Sequence, residues 1–425
     1  MRTLFVSIER EGILIPVGRL VGDYASGARF TYDVQYLSDP SAKAISISLP
    51  LQEEPFSEMQ TKAFFEGLLP EGFTRRSVAQ WMHIDEEDYL SILHGLGREC
   101  LGALCITEED EIADASYEKI SKSQVRALAA EGTTKSVELV TKSHLSLTGA
   151  SGKVGLYYSK KNDAWYLPWG TAPSTHIVKQ SHVRLDSIVT NEQLSLMTAK
   201  RCGISIPETF IINVGSGKED EVLLATQRYD RIFTDSSGKI NSLPRPLRLH
   251  QEDFAQALGI SSDKKYEQTE ENYMKQMFDI LRKFSSDPIT DQLKLWDVII
   301  FNTLIGNTDA HIKNFSLLYG SNLNGVRLAP AYDIVSTVVY EQCTREMAFA
   351  IGGERSLDAI SQSVFRRAAQ QVGIGERIAI EHFESMKNKF VPALDESAAI
   401  LSENGYANAE QLKTRILRSR GKQLR

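Results

Sequence analysis

The chain has 425 residues, of which 42% are hydrophobic and 24% are charged, and its formal net charge is −7. This length allows two or three domains, the composition argues against wholesale disorder, and the negative charge means that the chain as a whole lacks a strongly basic nucleic-acid-binding character. Four cysteines without a Cys-x-x-Cys pair fit a reducing compartment. Early charges argue against a signal peptide, and no apolar run approaches the roughly 20 residues that span a bilayer. We therefore expect a cytoplasmic protein without a membrane partner.

The first hundred residues predict strands and then helices. Apolar residues alternate with polar ones in parts of residues 3–50, which is typical of strands, and helical patterns follow between Phe64 and Leu96. The acidic stretch Glu108–Asp114 indicates a surface loop or a boundary. We predict an N-terminal subdomain over residues 1–110.

The rest of the chain changes from a β-rich pattern to a helical one. Residues 145–235 predict alternating strands with one helix, Asn191–Arg201, and we assign residues 111–245 to a β-rich lobe. Residues 246–425 are assigned to a helical lobe. The helices predicted there are Asp253–Leu258, Glu271–Phe284, Gln292–Ile305, Ser361–Val372, Ile378–Phe390 and Ala407–Ser419. The predicted fold is α+β and two-lobed, like a protein kinase, with a β-rich N-terminal lobe, an extra N-terminal subdomain and a mostly helical C-terminal lobe.

Three polar residues near position 310 have the spacing of a phosphotransferase site. Asp309 follows an apolar helix-like run, Asn314 comes five residues later, and Asp333 follows a short predicted hairpin. This is the spacing of a kinase catalytic loop and its metal-binding aspartate. Asp309 would accept the proton of the attacking hydroxyl. Asn314 and Asp333 would hold Mg²⁺, which prefers hard oxygen ligands.

Two further residues of this segment are candidates for the chemistry. His311 either orders the loop by hydrogen bonding or lies near the phosphates, and the structural role is favoured because Asp309 already fills the role of base. Lys313 could stabilise the transferring phosphoryl group.

Lys179 is the candidate phosphate-binding lysine. It ends a predicted strand upstream of a helix, from which it could reach the α- and β-phosphates of ATP. Taken alone it would more often be a surface lysine, but the 309–333 pattern favours the functional interpretation. Glu192, which opens the next helix, either pairs with Lys179 or is an acid favoured by the helix dipole.

A second candidate for phosphate binding is the small, polar loop Ser146–Lys153. Its backbone N–H groups could cradle phosphates, with Lys153 close by, but a flexible turn is the simpler alternative. It is no Walker A motif, because Leu147 stands where the first glycine is required. The remaining candidates in this loop are Ser146, Gly149, Ala150, Ser151 and Gly152.

The segment Leu224–Arg231 could contact a nucleotide base. Backbone groups of Gln227 and Tyr229 are candidates for hydrogen bonds to adenine. A plain strand followed by a charged turn explains the same pattern, and spacing alone does not decide.

Several ordered blocks together resemble the HipA-type serine/threonine kinases, which are toxins of bacterial toxin–antitoxin pairs. The blocks span nearly the whole chain. They are LHGLGRECLGA (93–103), the 146–153 loop, PSTHIVK (173–179), NEQLSLMTAKRCGI (191–204), RYDR (228–231), LHQEDFAQALG (249–259), GNTDAHIKNFS (306–316) and PAYDIVS (330–336).

The resemblance implies a kinase that uses ATP and Mg²⁺, with Asp309 as base, Asn314 and Asp333 as metal ligands and Lys179 on the phosphates. It also implies that Ser146 is autophosphorylated and that the modified loop then leaves the nucleotide site, which inactivates the enzyme.

The partner that the resemblance implies is a HipB-like helix-turn-helix antitoxin, through which the chain would meet DNA only indirectly. The implied substrate is a protein, namely an aminoacyl-tRNA synthetase. The chain departs from the family pattern at Ser151 and Gly152 in the loop, which makes Ser151 a second candidate phosphosite, and at Gln227, where a glutamate is common.

Two other functions compete with the active kinase. A catalytically weak co-repressor would mainly bind its antitoxin on operator DNA. A small-molecule or lipid kinase loses ground, because the N-terminal blocks also match the toxin family.

Overall fold

The computed structural model describes residues 1–23, 27–108, 114–143, 152–181, 185–234 and 237–424. The strands up to residue 181 are β1 (Arg2–Arg10), β2 (Ile13–Asp23), β3 (Gly27–Tyr32), β4 (Leu104–Thr107), β5 (Ser116–Lys119), β6 (Lys153–Ser159), β7 (Ala164–Trp169) and β8 (His176–Gln180). The helices of the same region are α1 (Val34–Ser38), α2 (Glu58–Phe65), α3 (Gly72–Met82), α4 (Tyr89–Leu96), α5 (Lys122–Glu131) and α6 (Thr133–Ser143).

The remaining residues are richer in helix. The helices are α7 (Ile188–Arg201), α8 (Phe254–Leu258), α9 (Tyr273–Phe284), α10 (Pro288–Ile305), α11 (Gln362–Val372), α12 (Glu376–Glu403) and α13 (Asn408–Leu424). The strands are β9 (Thr209–Asn213), β10 (Val222–Gln227), β11 (Arg231–Ile232), β12 (Lys239–Ile240), β13 (Leu243–Pro244), β14 (Leu247–Arg248), β15 (Gln251–Asp253), β16 (Ser316–Tyr319), β17 (Val326–Leu328), β18 (Glu346–Ile351) and β19 (Glu354–Ser356). The predicted α+β class is confirmed. None of the helices within the described ranges is long and apolar enough to cross a membrane.

The chain forms two compact units. The first unit consists of Met1–Gln180, Ala225–Ser262 and Leu318–Asn324, and the second consists of Ser181–Leu224, Asp263–Leu317 and Gly325–Arg425. These units do not decide whether residues 1–110 fold by themselves. The division into 1–110, 111–245 and 246–425 stays a prediction.

The first unit contains an antiparallel sheet in the order β3-β2-β1-β4. In β1 the apolar residues Leu4, Val6 and Ile8 are fully buried, as the predicted alternation requires. Phe30 and Phe56 stack beside this sheet with ring centroids 6.0 Å apart. Further strands of the same unit run in the order β5-β7-β6-β8, in which β6 and β7 form an antiparallel hairpin.

Helices α7 and α9–α13 build the second unit. Trp296 of α10 is fully buried, lies edge to face with Phe365 at 5.5 Å and donates its indole N–H to the carbonyl of Ala379 at 3.1 Å. Aromatic burial of this kind contributes both apolar area and a satisfied polar group. Helix α10 begins after Asp287 with Pro288 in its first turn, a favoured position for proline. Its last residue is Ile305, just before the predicted catalytic loop.

Two helical regions differ from the sequence prediction. Helix α12 continues to Glu403, beyond the predicted end at Phe390, although Pro392 lies inside it. Helices α5 and α6 were not predicted.

Candidate active site

The predicted catalytic loop begins where α10 ends. Gly306 closes the helix in the left-handed conformation, with φ of 75°, and a Cβ atom there would lie 2.5 Å from a methyl carbon of Val338. Both the backbone angle and the close approach favour glycine. The loop therefore leaves the helix in a direction that other residues would not readily allow.

Neutral hydrogen bonds hold the start of the loop. Asn307 accepts the backbone N–H of Asp309 at 3.2 Å and donates to the side-chain oxygen of Asn302 in α10 at 3.0 Å. The hydroxyls of Thr308 and Thr337 lie 2.6 Å apart. Because these groups are mostly buried, their pairing avoids the cost of unsatisfied polar atoms.

Asp309 is exposed at the surface of the second unit. One of its carboxylate oxygens, Oδ1, accepts the phenol O–H of Tyr266 at 2.5 Å. Its backbone carbonyl accepts the side-chain N–H of Asn314 at 3.0 Å and the backbone N–H of His311 at 2.7 Å. The loop thus turns back on itself, and it brings the two polar residues of the predicted Asp–Asn pair together.

His311 and Lys313 are both buried, at 7% and 6% exposure. The ring of His311 lies edge to face with that of Tyr266, with centroids 5.4 Å apart. The carbonyl of Lys313 accepts the phenol O–H of Tyr332 at 2.9 Å. These contacts fit the loop-ordering interpretation of His311. The catalytic roles of both residues stay predictions.

The predicted metal-binding aspartate lies in an unusual backbone conformation. Asp333 has φ of 55°, which is uncommon for a residue with a side chain and recurs at functional sites. The next few residues are held firmly. Ser336 exchanges both backbone hydrogen bonds with the side chain of Asn191 in α7, at 2.9 and 3.1 Å, and its hydroxyl donates to the carbonyl of Ile305 at 2.6 Å.

The donor atoms fit a magnesium ion that is shared with a nucleotide. The amide nitrogen of Asn314 is used within the loop, so its oxygen is the atom that can ligate a cation, and Asp333 offers a carboxylate. Both are hard oxygen donors, and Mg²⁺ is commonly held by few protein ligands together with phosphates and water. Within the described part of the chain, no cluster of three or more His, Cys, Asp or Glu residues could hold a metal ion. The assignment of both ligands stays a prediction.

In the first unit the two predicted phosphate lysines are neighbours. Lys153 of β6 and Lys179 of β8 face each other in the antiparallel register, so their side chains share one face of the sheet. Gly152 packs against Gln180, because a Cβ atom on this glycine would lie 1.8 Å from the Gln180 amide nitrogen. The other predicted loop residues, Ser146, Gly149, Ala150 and Ser151, lie outside the described residues.

Gln227 is the last residue of β10, and Tyr229 lies two residues beyond it, in a turn. The phenol O–H of Tyr229 donates to the side-chain oxygen of Gln251. Between them, the backbone N–H of Arg228 donates to the carbonyl of Thr175 at 2.9 Å. The strand part of the prediction is confirmed, whereas contact with adenine stays a prediction.

The charged residues that follow β10 are buried rather than solvated. Arg228 pairs with Asp230 at 2.7 Å and with Glu99 at 3.2 Å, and Arg231 and Arg248 reach Glu99 at 3.0 and 2.9 Å. Their side chains are at most 2% exposed. We call these five residues the Glu99 cluster. The strand is therefore followed by a turn with charged residues, as the simpler alternative had it, but these charges lie in the interior of the first unit and not at its surface.

Sequence reasoning missed several residues that shape the site. Tyr266 is 43 positions from Asp309 and lies in no recognisable motif. Asn191 was read only as the start of a helix. The run around Asn307 and Thr308 was noted, but spacing alone does not reveal which of its side chains hold the loop.

A solved structure identifies the class of fold. The chain superposes on HipA from the complex of Shewanella oneidensis HipA, HipB and operator DNA with a TM-score of 0.80 and 23% identity, over 99% of this chain and 97% of that one. The fold is therefore kinase-like, as the sequence predicted.

Sequence comparisons narrow the class to a family. Residues 145–394 match the model of the HipA-like C-terminal domain, and residues 14–107 match that of the HipA N-terminal domain. The chain belongs to the HipA-like family.

Among its relatives, the candidate kinase Y4mE of Sinorhizobium fredii is 33% identical over 370 residues, which cover 84% of each chain. The serine/threonine-protein kinase toxin HipA of Shewanella oneidensis is 27% identical over 414 residues, which cover 91% of this chain and 89% of the relative.

Proposed function

We propose that this chain is an ATP- and Mg²⁺-dependent protein serine/threonine kinase that acts as the toxin of a toxin–antitoxin pair. The observation that carries the proposal is the loop from Asp309 to Asn314. An exposed carboxylate and an amide oxygen are held in one turn, with Asp333 in a left-handed backbone conformation in the same unit. The names of the relatives support a kinase of this kind.

Each candidate residue has its own role in the proposed phosphoryl transfer. Asp309 accepts the proton of the substrate hydroxyl, and Asn314 and Asp333 hold Mg²⁺, which neutralises charge on the phosphates. Lys179 and Lys153, which are neighbours across two strands, supply positive charge to the phosphates. Gln227 and Tyr229 contact the adenine, Lys313 assists charge stabilisation, and His311 orders the loop.

The proposal extends to the substrate and the regulation that the resemblance to the HipA-type kinases implies. The protein substrate is an aminoacyl-tRNA synthetase, whose phosphorylation arrests translation and growth. Phosphorylation of Ser146 inhibits the enzyme by adding charge to its own phosphate-binding loop. The partner is a HipB-like helix-turn-helix antitoxin, which connects the chain to DNA.

A catalytically weak co-repressor is the second candidate function. It is favoured by one observation, namely that the superposed Shewanella protein was solved together with HipB and operator DNA. Such a protein would bind the antitoxin without turning over ATP.

Intact-mass spectrometry tests the two functions. The purified chain is first treated with a phosphatase and then incubated with ATP and Mg²⁺, beside Asp309→Gln and Ser146→Ala. We expect the wild type to gain one phosphate at Ser146. Asp309→Gln should react about 10²–10⁴-fold more slowly, because it lacks the base. Ser146→Ala should gain none, unless Ser151 is a second site.

The outcomes separate the candidates. Near wild-type transfer by Asp309→Gln would contradict the proposed base. If the wild type neither gains phosphate nor turns over ATP, but binds a helix-turn-helix antitoxin, the co-repressor function is supported instead.

A further inference from the structure

The phenol of Tyr266 touches the proposed catalytic base directly. Its hydroxyl donates to Oδ1 of Asp309 at 2.5 Å, and 39% of the tyrosine is exposed. A hydrogen bond from a neutral donor to a charged carboxylate is stronger than one between neutral groups. The hydrogen bond therefore holds one of the two carboxylate oxygens of Asp309, Oδ1, in a defined position.

The backbone around Tyr266 is anchored by its neighbour. The backbone N–H of Glu267 donates to the carbonyl of Ala348 at 2.8 Å, and its carboxylate accepts backbone N–H groups from Ala350 at 2.7 Å and Tyr273 at 2.8 Å. These bonds tie the segment to β18 and to the start of α9. The position of the phenol is thus set by several contacts of the fold, and not only by its own hydrogen bond.

The ring of Tyr266 is fixed as well. It lies edge to face with the ring of His311, at an interplanar angle of 90° and a centroid distance of 5.4 Å. His311 is itself buried and donates its backbone N–H to the carbonyl of Asp309. The tyrosine therefore contacts the catalytic loop at two points, through its hydroxyl and through its ring.

We propose that Tyr266 is a positioning residue for the catalytic base of this kinase, and this inference rests on the proposed function. Its phenol takes one carboxylate oxygen of Asp309 and turns the other toward the hydroxyl of the protein substrate. In the reaction the substrate oxygen bonds to the γ-phosphorus, its proton passes to Asp309, and the bond from that phosphorus to ADP breaks. Tyr266 remains neutral throughout.

An orienting group of this kind has a clear physical advantage. A carboxylate that is free to rotate must be ordered at each turnover, whereas one held by a fixed donor is already oriented. Because the backbone on the C-terminal side of Tyr266 is anchored, the phenol stays in place when substrate arrives. If Tyr266 instead covered Asp309 and moved away when substrate binds, its segment would have to be free of these backbone hydrogen bonds.

The test compares Tyr266→Phe with Tyr158→Phe. The first variant keeps the ring against His311 and removes only the hydroxyl. The second is a matched control, because the phenol of Tyr158 also donates to an aspartate Oδ1, that of Asp163, at 2.8 Å on the surface of the first unit. The rate of self-phosphorylation is measured by intact mass at saturating ATP and Mg²⁺, and again across an ATP titration.

We expect Tyr266→Phe to lower the maximal rate about tenfold, which corresponds to the loss of one hydrogen bond to a charged group. The ATP concentration for half-maximal rate should not change, and Tyr158→Phe should match the wild type. An unchanged rate in Tyr266→Phe would overturn the proposal. A faster rate would also overturn it, because the phenol would then block the base, and so would phosphate found on Tyr266 itself.

A second measurement does not depend on turnover. Hydrogen exchange at the amides of residues 307–314 should be faster in Tyr266→Phe than in the wild type and in Tyr158→Phe, because the loop loses a contact. If the wild type transfers no phosphate, the proposed function fails, and this exchange still tests the contact. Equal exchange in all three proteins would overturn the positioning role.

Discussion

Glu99 in the first unit and Asp309 in the second are both carboxylates at the centre of a hydrogen-bond network, and their surroundings are opposite. Glu99 is 1% exposed and accepts hydrogen bonds from Arg228, Arg231 and Arg248. Burial alone would raise the pKa of Glu99, but the three guanidinium groups lower it well below its ordinary range. Asp309 is exposed, and its carboxylate accepts a neutral phenol.

The difference separates a structural carboxylate from one that can do chemistry. A carboxylate surrounded by arginines holds its charge so strongly that it cannot accept a proton near neutrality. A base must accept one in the transition state, so a neutral donor is the compatible partner. The hydrogen bond from Tyr266 to Asp309 is compatible with this requirement, whereas the three arginines around Glu99 are not.

Glu252 is an intermediate case in the first unit. It is buried like Glu99, but it accepts hydrogen bonds from the Ser46 hydroxyl at 2.5 Å, from the backbone of Ile47 at 3.1 Å and from the phenol of Tyr319. Burial raises its pKa to about 7, and these hydrogen bonds only partly oppose the shift. Burial without arginines thus leaves a carboxyl that titrates near neutrality.

The largest expected effect is that of Glu99→Gln on stability. The substitution removes the charge that faces three buried guanidinium groups, and breaking a buried ion network from one side costs about 3–5 kcal/mol. Thermal or denaturant unfolding measures the loss. Glu118→Gln is the control, since Glu118 is an exposed carboxylate that accepts the indole N–H of Trp169 at 2.9 Å.

The result would decide whether the Glu99 cluster stabilises the first unit. Glu118→Gln should remain within about 0.5 kcal/mol of the wild type, as most surface substitutions do. If Glu99→Gln lowered the free energy of unfolding as little as Glu118→Gln, other groups would have to neutralise the three arginines. The contrast between Glu99 and Asp309 would then lose its physical basis.

A smaller effect, on the order of 2–3 kcal/mol, is expected from the titration of Glu252. Its pKa is about 7 in the folded protein and its ordinary value is 4.5, so between these values the unfolded chain binds fewer protons. Stability should therefore fall as pH rises from about 4.5 to about 7. Glu252→Gln, which cannot ionise, should lose much of this fall.

Denaturant unfolding across that pH range checks the prediction. Glu87→Gln, at an exposed glutamate of the same unit, should keep the wild-type dependence on pH. The same slope in Glu252→Gln and the wild type would mean that Glu252 is ionised in the folded protein, despite its burial.

The sequence predicted the parts of the site that depend on local spacing. Asp309 and Asn314 are five residues apart in one turn, so their joint position follows from the loop that carries them. Lys153 and Lys179 were proposed separately, and strand pairing placed them opposite each other. The class of the fold was also predictable, because hydrophobic periodicity distinguishes strands from helices.

Long-range contacts could not be predicted in this way. Glu99 and Arg248 are 149 positions apart, and because charged residues are rarely buried, nothing in the spacing of these residues indicated a buried cluster. Likewise, the predicted helix ended at Phe390, but α12 continues through Pro392, and Leu394 and Leu401 beyond it are buried. Packing of this apolar face compensates for the hydrogen bond that the proline removes.

The smallest expected effect concerns a neutral network of the second unit. Asn191→Ala would leave the backbone N–H and carbonyl of Ser336 without their side-chain partner, at a cost of about 1–3 kcal/mol. Ser195→Ala is the matched control, because the hydroxyl of Ser195 donates to the Asn191 oxygen at 3.3 Å and makes no bond to Ser336 within the described part of the chain. Thermal unfolding compares both variants with the wild type.

The contrast between the two units also applies to the residues that hold the segment after the carboxylate Asp333. Asn191 is fully buried, and its amide holds Ser336, three residues after Asp333, whereas the Glu99 cluster uses arginines. A buried arginine near Asp309 and Asp333 would compete with Mg²⁺ and with the proton for the same carboxylates. We therefore expect Asn191→Ala also to raise the Mg²⁺ concentration needed for half-maximal transfer, and Ser195→Ala to leave it unchanged. Equal stability and equal Mg²⁺ dependence in both variants would show that the amide does not support the metal-binding segment.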